Sequence, residues 1–139
     1  MDNLHLLPAA HAGATLFMTG VIWFVQVVHY PLFARTGPGG FADYEREHAR
    51  RTGWIVGPAM TTELLLALAL AARGGAAAWA GLAMLAVIWL STALVQVPLH
   101  RRLRGGFDAA AHRRLVRTNW LRTAAWTLRA ALALRLAVG

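Results

Sequence analysis

The chain has 139 residues, 58% of them hydrophobic, with a positive mean hydropathy and a formal net charge of +8. A nucleic-acid-binding domain needs its cations on a soluble face, whereas most here lie between long apolar runs; nucleic acid is set aside as a partner, and a membrane protein with charged connectors is expected. All fourteen basic residues are Arg and there is no Cys, which excludes disulfides, thiolate chemistry and Cys-ligated metal sites.

Four apolar stretches are long enough to cross a bilayer, at about 8–33, 54–72, 76–99 and 119–138. No basic n-region precedes the first, so it is expected to stay as a helix rather than leave as a signal peptide. Gly37-Pro38-Gly39-Gly40, Arg73-Gly74-Gly75 and Arg104-Gly105-Gly106 mark the joints. Backbone amides in hydrocarbon must be satisfied within their own segment, so each stretch is predicted to be a helix.

The first connector holds Arg35, Arg46, Arg50 and Arg51, and the third holds Arg101, Arg102, Arg104, Arg113, Arg114 and Arg117. The second holds Arg73 alone. This bias places connectors one and three in the cytoplasm and both termini outside, across a plasma membrane. Segments 41–52 and 107–118 read as short interfacial helices, with Asp108 near the start of the second.

The chain also reads as a duplication. Val21-Ile22-Trp23 returns as Val87-Ile88-Trp89, Gly39-Gly40-Phe41 as Gly105-Gly106-Phe107, and Arg51-Thr52-x-Trp54 as Arg117-Thr118-x-Trp120. The offset is 66 each time (87 − 21, 105 − 39, 117 − 51). The expected architecture is all-α: one membrane domain, residues 1–139, of four transmembrane helices in two parallel helical-hairpin repeats, about 8–72 and 74–138.

Polar side chains inside the spans should face the bundle interior. Span one carries His11, Thr15, Thr19, Gln26, His29 and Tyr30 on one helix face, and span three carries Thr92, Gln96 and His100. Glu63 of span two lies nine residues beyond Trp54, and Arg129 of span four nine beyond Trp120, which puts both about 14 Å deep at a rise of about 1.5 Å per residue. They are 66 apart and can pair, either as a structural ion pair or as a proton- or ligand-linked site. Arg122 is a competing partner for Glu63.

Gln26, His29, Tyr30, Gln96, His100, Asn119 and Arg122 gather in the cytoplasmic half and mostly break the repeat, which predicts one asymmetric pocket. His29 is the candidate acid–base group, and Arg122 the candidate stabiliser of an enolate or phenolate. Gln26, Tyr30, Glu63, Gln96, His100, Asn119 and Trp126 are candidate binding residues, with Trp23, Trp89 and Trp126 as walls. Two of His29, His48 and His100 are candidates to ligate haem or a metal ion, although HExxH, His-x-His and paired Glu-x-x-His motifs are absent. Glu45 and Glu47, flanking His48, read as solvated neighbours. Nucleophile-elbow, phosphate-loop and dinucleotide motifs are absent.

Segments 23–33 (WFVQVVHYPLF), 44–52 (YEREHARRT) and 119–126 (NWLRTAAW) resemble those of small uncharacterised bacterial four-helix membrane proteins, and more distantly the anthrone-oxygenase-like membrane family. The resemblance implies an oxygen-dependent reaction on an aromatic polyketide or quinol-like compound; it carries over no catalytic residue. Three functions follow as expectations. The first is an intramembrane pocket that binds, and in one version oxidises, a lipophilic aromatic or quinone-like molecule. The second is a small proton-coupled transporter using Glu63. The third is a non-catalytic subunit that packs on a larger membrane partner. Lipid and a hydrophobic small molecule are the expected partners, with an oligomer open.

Overall fold

A computed structural model of the chain describes residues 5–37 and 39–138; the first four residues, Pro38 of the first joint and Gly139 lie outside it. Four long helices run in chain order, α1 (Leu6–Phe33), α2 (Phe41–Ala72), α3 (Ala76–Leu103) and α4 (Ala109–Val138), with no strand among the described residues. Each packs on its two neighbours around a ring α1–α2–α3–α4, with α1 against α4 and α3 against α4 the most extensive seams.

The bundle is apolar outside and polar inside. Leu65, Leu94 and Leu128 are 62%, 71% and 62% exposed, while Thr15, Glu63 and Asn119 are fully buried. In water this arrangement would be unstable; in lipid it is the favourable one, because the chain's polar groups satisfy one another away from hydrocarbon. Three helices, α1, α2 and α3, are long and apolar enough to cross a membrane. The expectation that the fourth crosses as well goes beyond this composition. At 30 residues α4 is long enough, but it is not among the helices apolar enough by composition. Its six arginines explain the difference, and two of them, Arg122 and Arg129, are buried inside the bundle rather than facing outward.

Segments 41–52 and 109–118 are not separate interfacial helices. Each is the first three turns of α2 or α4. Nothing in either sequence breaks the backbone ladder: Gly53 is tolerated in a helix interior, and the charges of 41–52 other than Glu45 sit on the exposed side as Arg46–Asp43, Arg50–Glu47 and Arg51–Glu47 pairs. Such exposed pairs stabilise little. The Phe41 and Phe107 rings meet edge to face at 5.0 Å, so the first and third connectors lie at the same end of the bundle. Gly74 and Gly75 make the opposite turn with φ of 90° and 98°, a left-handed backbone that side chains with a Cβ rarely adopt.

Both α1 and α3 contain a π-turn, over Val25–His29 and Thr92–Gln96. The Tyr30 N–H reaches back five residues to the Val25 carbonyl, and the Val97 N–H to Thr92. A proline follows each, Pro31 and Pro98. Its ring crowds the carbonyl four residues earlier and it has no N–H to donate, so a widened turn just before it relieves the clash. These prolines stand 67 apart (98 − 31), one more than the offset of the flanking patterns. Around the π-turns His29 therefore matches Gln96, and Phe33 matches His100.

Candidate functional site

Deep in the bundle, toward the α2–α3 turn, α4 delivers Arg129 to Glu63 of α2. The guanidinium pairs with Glu63 Oε1 and also donates to the Gly81 carbonyl of α3. A Cβ at Gly81 would stand in ordinary contact with Arg129 Nη1, at 3.5 Å, so the approach is close without requiring glycine. From α1, the Thr15 hydroxyl donates to Glu63 Oε1 at 3.1 Å, and His11 Nε2 lies 3.4 Å from the same oxygen. The Arg129 guanidinium also stands 5.7 Å from the centre of the buried Trp126 ring. All four helices thus contribute to one closed knot, in which acid and base balance. The void beside it is only about 10 Å³. Arg122 takes no part in it.

About two to three turns nearer the other end, Gln26, Asn119 and Arg122 form a chain. Asn119 Nδ2 donates to Gln26 Oε1 at 2.8 Å, and Arg122 Nη1 donates to Asn119 Oδ1 at 2.9 Å. Gln26 Nε2 in turn reaches the Val116 carbonyl at 3.3 Å. Gln96 donates to Thr118 Oγ1 at 3.0 Å. Helix periodicity put these groups on inward faces, and the structure ties α1 and α3 to α4 through them.

At the connector end the aromatic and imidazole side chains converge around Phe33, which is fully buried. Rings of His29, Tyr30, Phe41, Tyr44 and His48 all stand within 6 Å of its centre. His29 Nε2 and His48 Nδ1 are 2.7 Å apart and so share one proton. Tyr30 Oη lies 3.0 Å from His100 Nε2, and His100 Nδ1 lies 2.6 Å from Glu45 Oε1. A carboxylate only accepts, so Nδ1–H donates to Glu45 and a neutral His100 presents Nε2 as acceptor to the Tyr30 hydroxyl. Glu45 is therefore not a solvated neighbour of His48. It is fully buried, and it fixes the imidazole of the opposite helix. His112, absent from the candidate residues, is buried too and donates from Nε2 to the Tyr30 carbonyl at 2.7 Å. Its signal was its place: one turn after Asp108, on the face of α4 that continues to Asn119.

Between α1, α2 and α3 a cleft of about 330 Å³ runs from mid-bundle to this end. Met18, Ile22, Val56, Met60 and Trp89 give it apolar walls; Tyr30, His48, Gln96, His100, Arg104 and Arg122 gather at the other end. Gly53 and Gly57 of α2 form part of its lining, and a Cβ at either would meet open space. A larger groove of about 560 Å³ lies on the outside between α1 and α2, almost wholly apolar, as a lipid-facing seam would be. The two share Val21, Val25, His48, Thr52 and Val56.

Of the candidate residues, Tyr30, Gln96, His100 and Arg122 line the cleft, as does Trp89 of the expected walls. His29 borders the outer groove instead. Gln26, Glu63, Asn119 and Trp126 are not in the cleft lining; they brace the bundle behind it. Trp23 faces outward at 41% exposure and donates to Thr127. Among the described residues no group of three His, Asp or Glu is placed to hold a metal ion. Comparison with protein-family models, with curated proteins and with solved structures finds no match for the chain.

Proposed function

We propose that the chain is a four-span membrane protein that binds a lipophilic molecule with a hydrogen-bonding aromatic or quinone-like head. The ligand's apolar body lies along Met18, Ile22, Met60 and Trp89, and its head lies against Tyr30, Gln96, His100 and Arg122. The observation that carries this reading is the cleft itself. It falls in the size range of small-molecule sites, with an apolar body and a few convergent polar groups at one end. Two of those groups, Gln96 Oε1 and Arg122 Nε, are buried without a protein partner. An orphaned buried polar atom costs about 1–3 kcal/mol, and a ligand head could recover it only where a small side-chain shift opens that atom to the cleft. The shared wall with the outer groove supports lateral entry from the bilayer.

In this reading α4 crosses with the other three. Leu121, Leu128 and Leu134 on its outer face support that, since Arg122 and Arg129, the two charges between them, turn inward. The Phe41–Phe107 contact supports one Arg-rich end, which the positive-inside bias assigns to the cytoplasm. Two pairs of positions 66 apart touch across the bundle, Phe41 with Phe107 and Glu63 with Arg129, which supports two parallel hairpins about a common axis. Glu63 as a coupling acid gains no such support, because its carboxylate is enclosed beside a void too small for a substrate.

The test is retention of a short-tailed benzoquinone by the protein in lipid nanodiscs, measured by extraction and mass spectrometry. Wild type should hold an excess over Gly57→Trp, whose new side chain fills the cleft. Equal retention by both proteins sinks the proposal.

A further inference from the structure

The two buried arginines of α4 differ in one respect. Arg129 has a carboxylate, Glu63. Arg122, 7% exposed, forms no ion pair among the described residues. Its guanidinium rests on the neutral Asn119 amide and against the Tyr30 oxygen, and its Nε has no partner at all. An uncompensated charge at this depth is unfavourable enough that buried cations are found paired. Arg122 is part of the cleft lining.

Next to it stands a proton path. The Tyr30 hydroxyl meets His100 Nε2, and His100 Nδ1–H meets the buried Glu45 carboxylate. A hydroxyl, an imidazole and a carboxylate in that order form the arrangement by which a buried base is oriented and its protonated form stabilised. Other titratable groups at this end are engaged or peripheral. From α1, His29 is bound to His48 of α2, and His112 of α4 is bound to the Tyr30 carbonyl. Arg104 of α3 is exposed at the cleft mouth.

We propose that the cleft takes up a lipophilic phenol or quinol-type hydroxyl and holds it as its anion, with Arg122 as counter-charge and Tyr30–His100–Glu45 as the path that receives the proton. This rests on the cleft being a ligand site, as proposed above. The ligand O–H bond breaks, its proton passes to the Tyr30 oxygen as the Tyr30 proton passes to His100 Nε2, and the electron pair stays on the ligand oxygen. Nothing is oxidised or reduced. Before transfer the site holds one cation (Arg122) and one anion (Glu45); afterwards it holds two pairs, Arg122 with the ligand and protonated His100 with Glu45. Net charge is unchanged, so the transfer needs no counter-ion from water. A neutral ligand, such as an ether or alcohol of the same body, would leave Arg122 unpaired.

A para-nitrophenol with a hexyl tail reports ionisation by its colour. Titrated in nanodiscs with wild-type protein, the retained probe should ionise at a pH at least about one unit lower than with Gly57→Trp, a ten-fold shift in its equilibrium. Arg122→Gln, which keeps a donor for Asn119, should remove the shift while retaining the probe, and Arg122→Lys should keep most of it. His100→Gln should shrink the shift. The probe in protein-free nanodiscs of the same lipid gives a second reference for the wild-type shift, so the test holds even if a variant fails to fold. Retention above Gly57→Trp with no shift overturns the anion proposal and leaves the ligand site standing. No excess retention overturns both. A shift that survives His100→Gln in full overturns the proton path.

Discussion

Residues 53–60 of α2 and 119–126 of α4 stand 66 apart and do opposite things. Where α4 has Asn119, Arg122, Thr123 and Trp126, α2 has Gly53, Val56, Gly57 and Met60. The four α4 side chains are all buried, and they bind α1 and α3 into the tightest seams of the bundle. Asn119 does so by a hydrogen bond to Gln26 of α1, braced from within α4 by Arg122, and Trp126 by packing in the mid-bundle core. On α2 the two glycines leave space, and the cleft occupies it. The lesson is that positions at one sequence spacing can differ sharply in side-chain volume, and the cleft lies on the side where α2 carries the smaller residues. The same contrast recurs in charge: a closed, balanced knot at Glu63 and Arg129, and an open end with an unbalanced Arg122.

The sharpest way to break that contrast is to unbalance the knot. Glu63→Ala leaves Arg129 buried without its carboxylate and should cost about 3–5 kcal/mol. Replacing both members by apolar residues of similar size, Glu63→Leu with Arg129→Met, should cost clearly less than the two single changes added together. Thermal unfolding midpoints in one detergent measure all four proteins. Additive losses would show that the pair is not a unit. On the tight α4 face, Asn119→Ala should cost about 1–3 kcal/mol, because Gln26 Oε1 and an Arg122 N–H then lose their partner together.

The glycine side predicts the reverse. Gly57→Leu adds volume to the cleft with nothing in the way, and it replaces glycine in a helix interior. Stability should hold or rise by up to roughly 1 kcal/mol, while benzoquinone retention falls to the lipid background. A stable Gly57→Leu protein that still retains the quinone would separate the cleft from ligand binding.

Much of this arrangement was legible in the sequence, and the limits are instructive. Hydropathy and backbone satisfaction made the helices readable, and periodicity made the inward faces readable, from His11 through Tyr30 and from Asn119 through Arg129. Depth counting put Glu63 and Arg129 level. Two kinds of feature escaped. Burial at the connector end did not follow composition: Glu45 sits in a run of charges, and only the His100 imidazole from another helix explains why it is inside. The π-turns before Pro31 and Pro98 also escaped, although the two prolines, 67 apart where the flanking patterns are 66 apart, already marked a local shift of register. Which polar groups line a cavity and which brace the walls depends on side-chain volume across the bundle. Gly53 and Gly57 held that information, as missing atoms rather than as chemistry.

The smallest effect belongs to the connector that starts the tight half. Asp108 opens α4 by accepting the N–H groups of Ala110 and Ala111 at 2.9 and 3.0 Å, and Arg102 pairs with it at 2.6 Å. The Ala111 N–H first, with Arg102 and the Ala110 N–H behind it, holds the carboxyl below its ordinary value of 3.8. A carboxyl whose pKa is lower folded than unfolded stabilises the fold above the unfolded value and loses that contribution as pH falls through the folded one. Asp108→Ala should therefore lower the unfolding midpoint slightly at neutral pH. The gap to wild type should be flat down to about pH 5 and close below about pH 3.8, as both proteins come to lack the carboxylate. Asp108→Asn, which keeps a capping oxygen without the charge, should fall between them at neutral pH. A gap that stays constant through the acid range would mean that the charge contributes nothing, and that the helix start depends on the capping geometry alone.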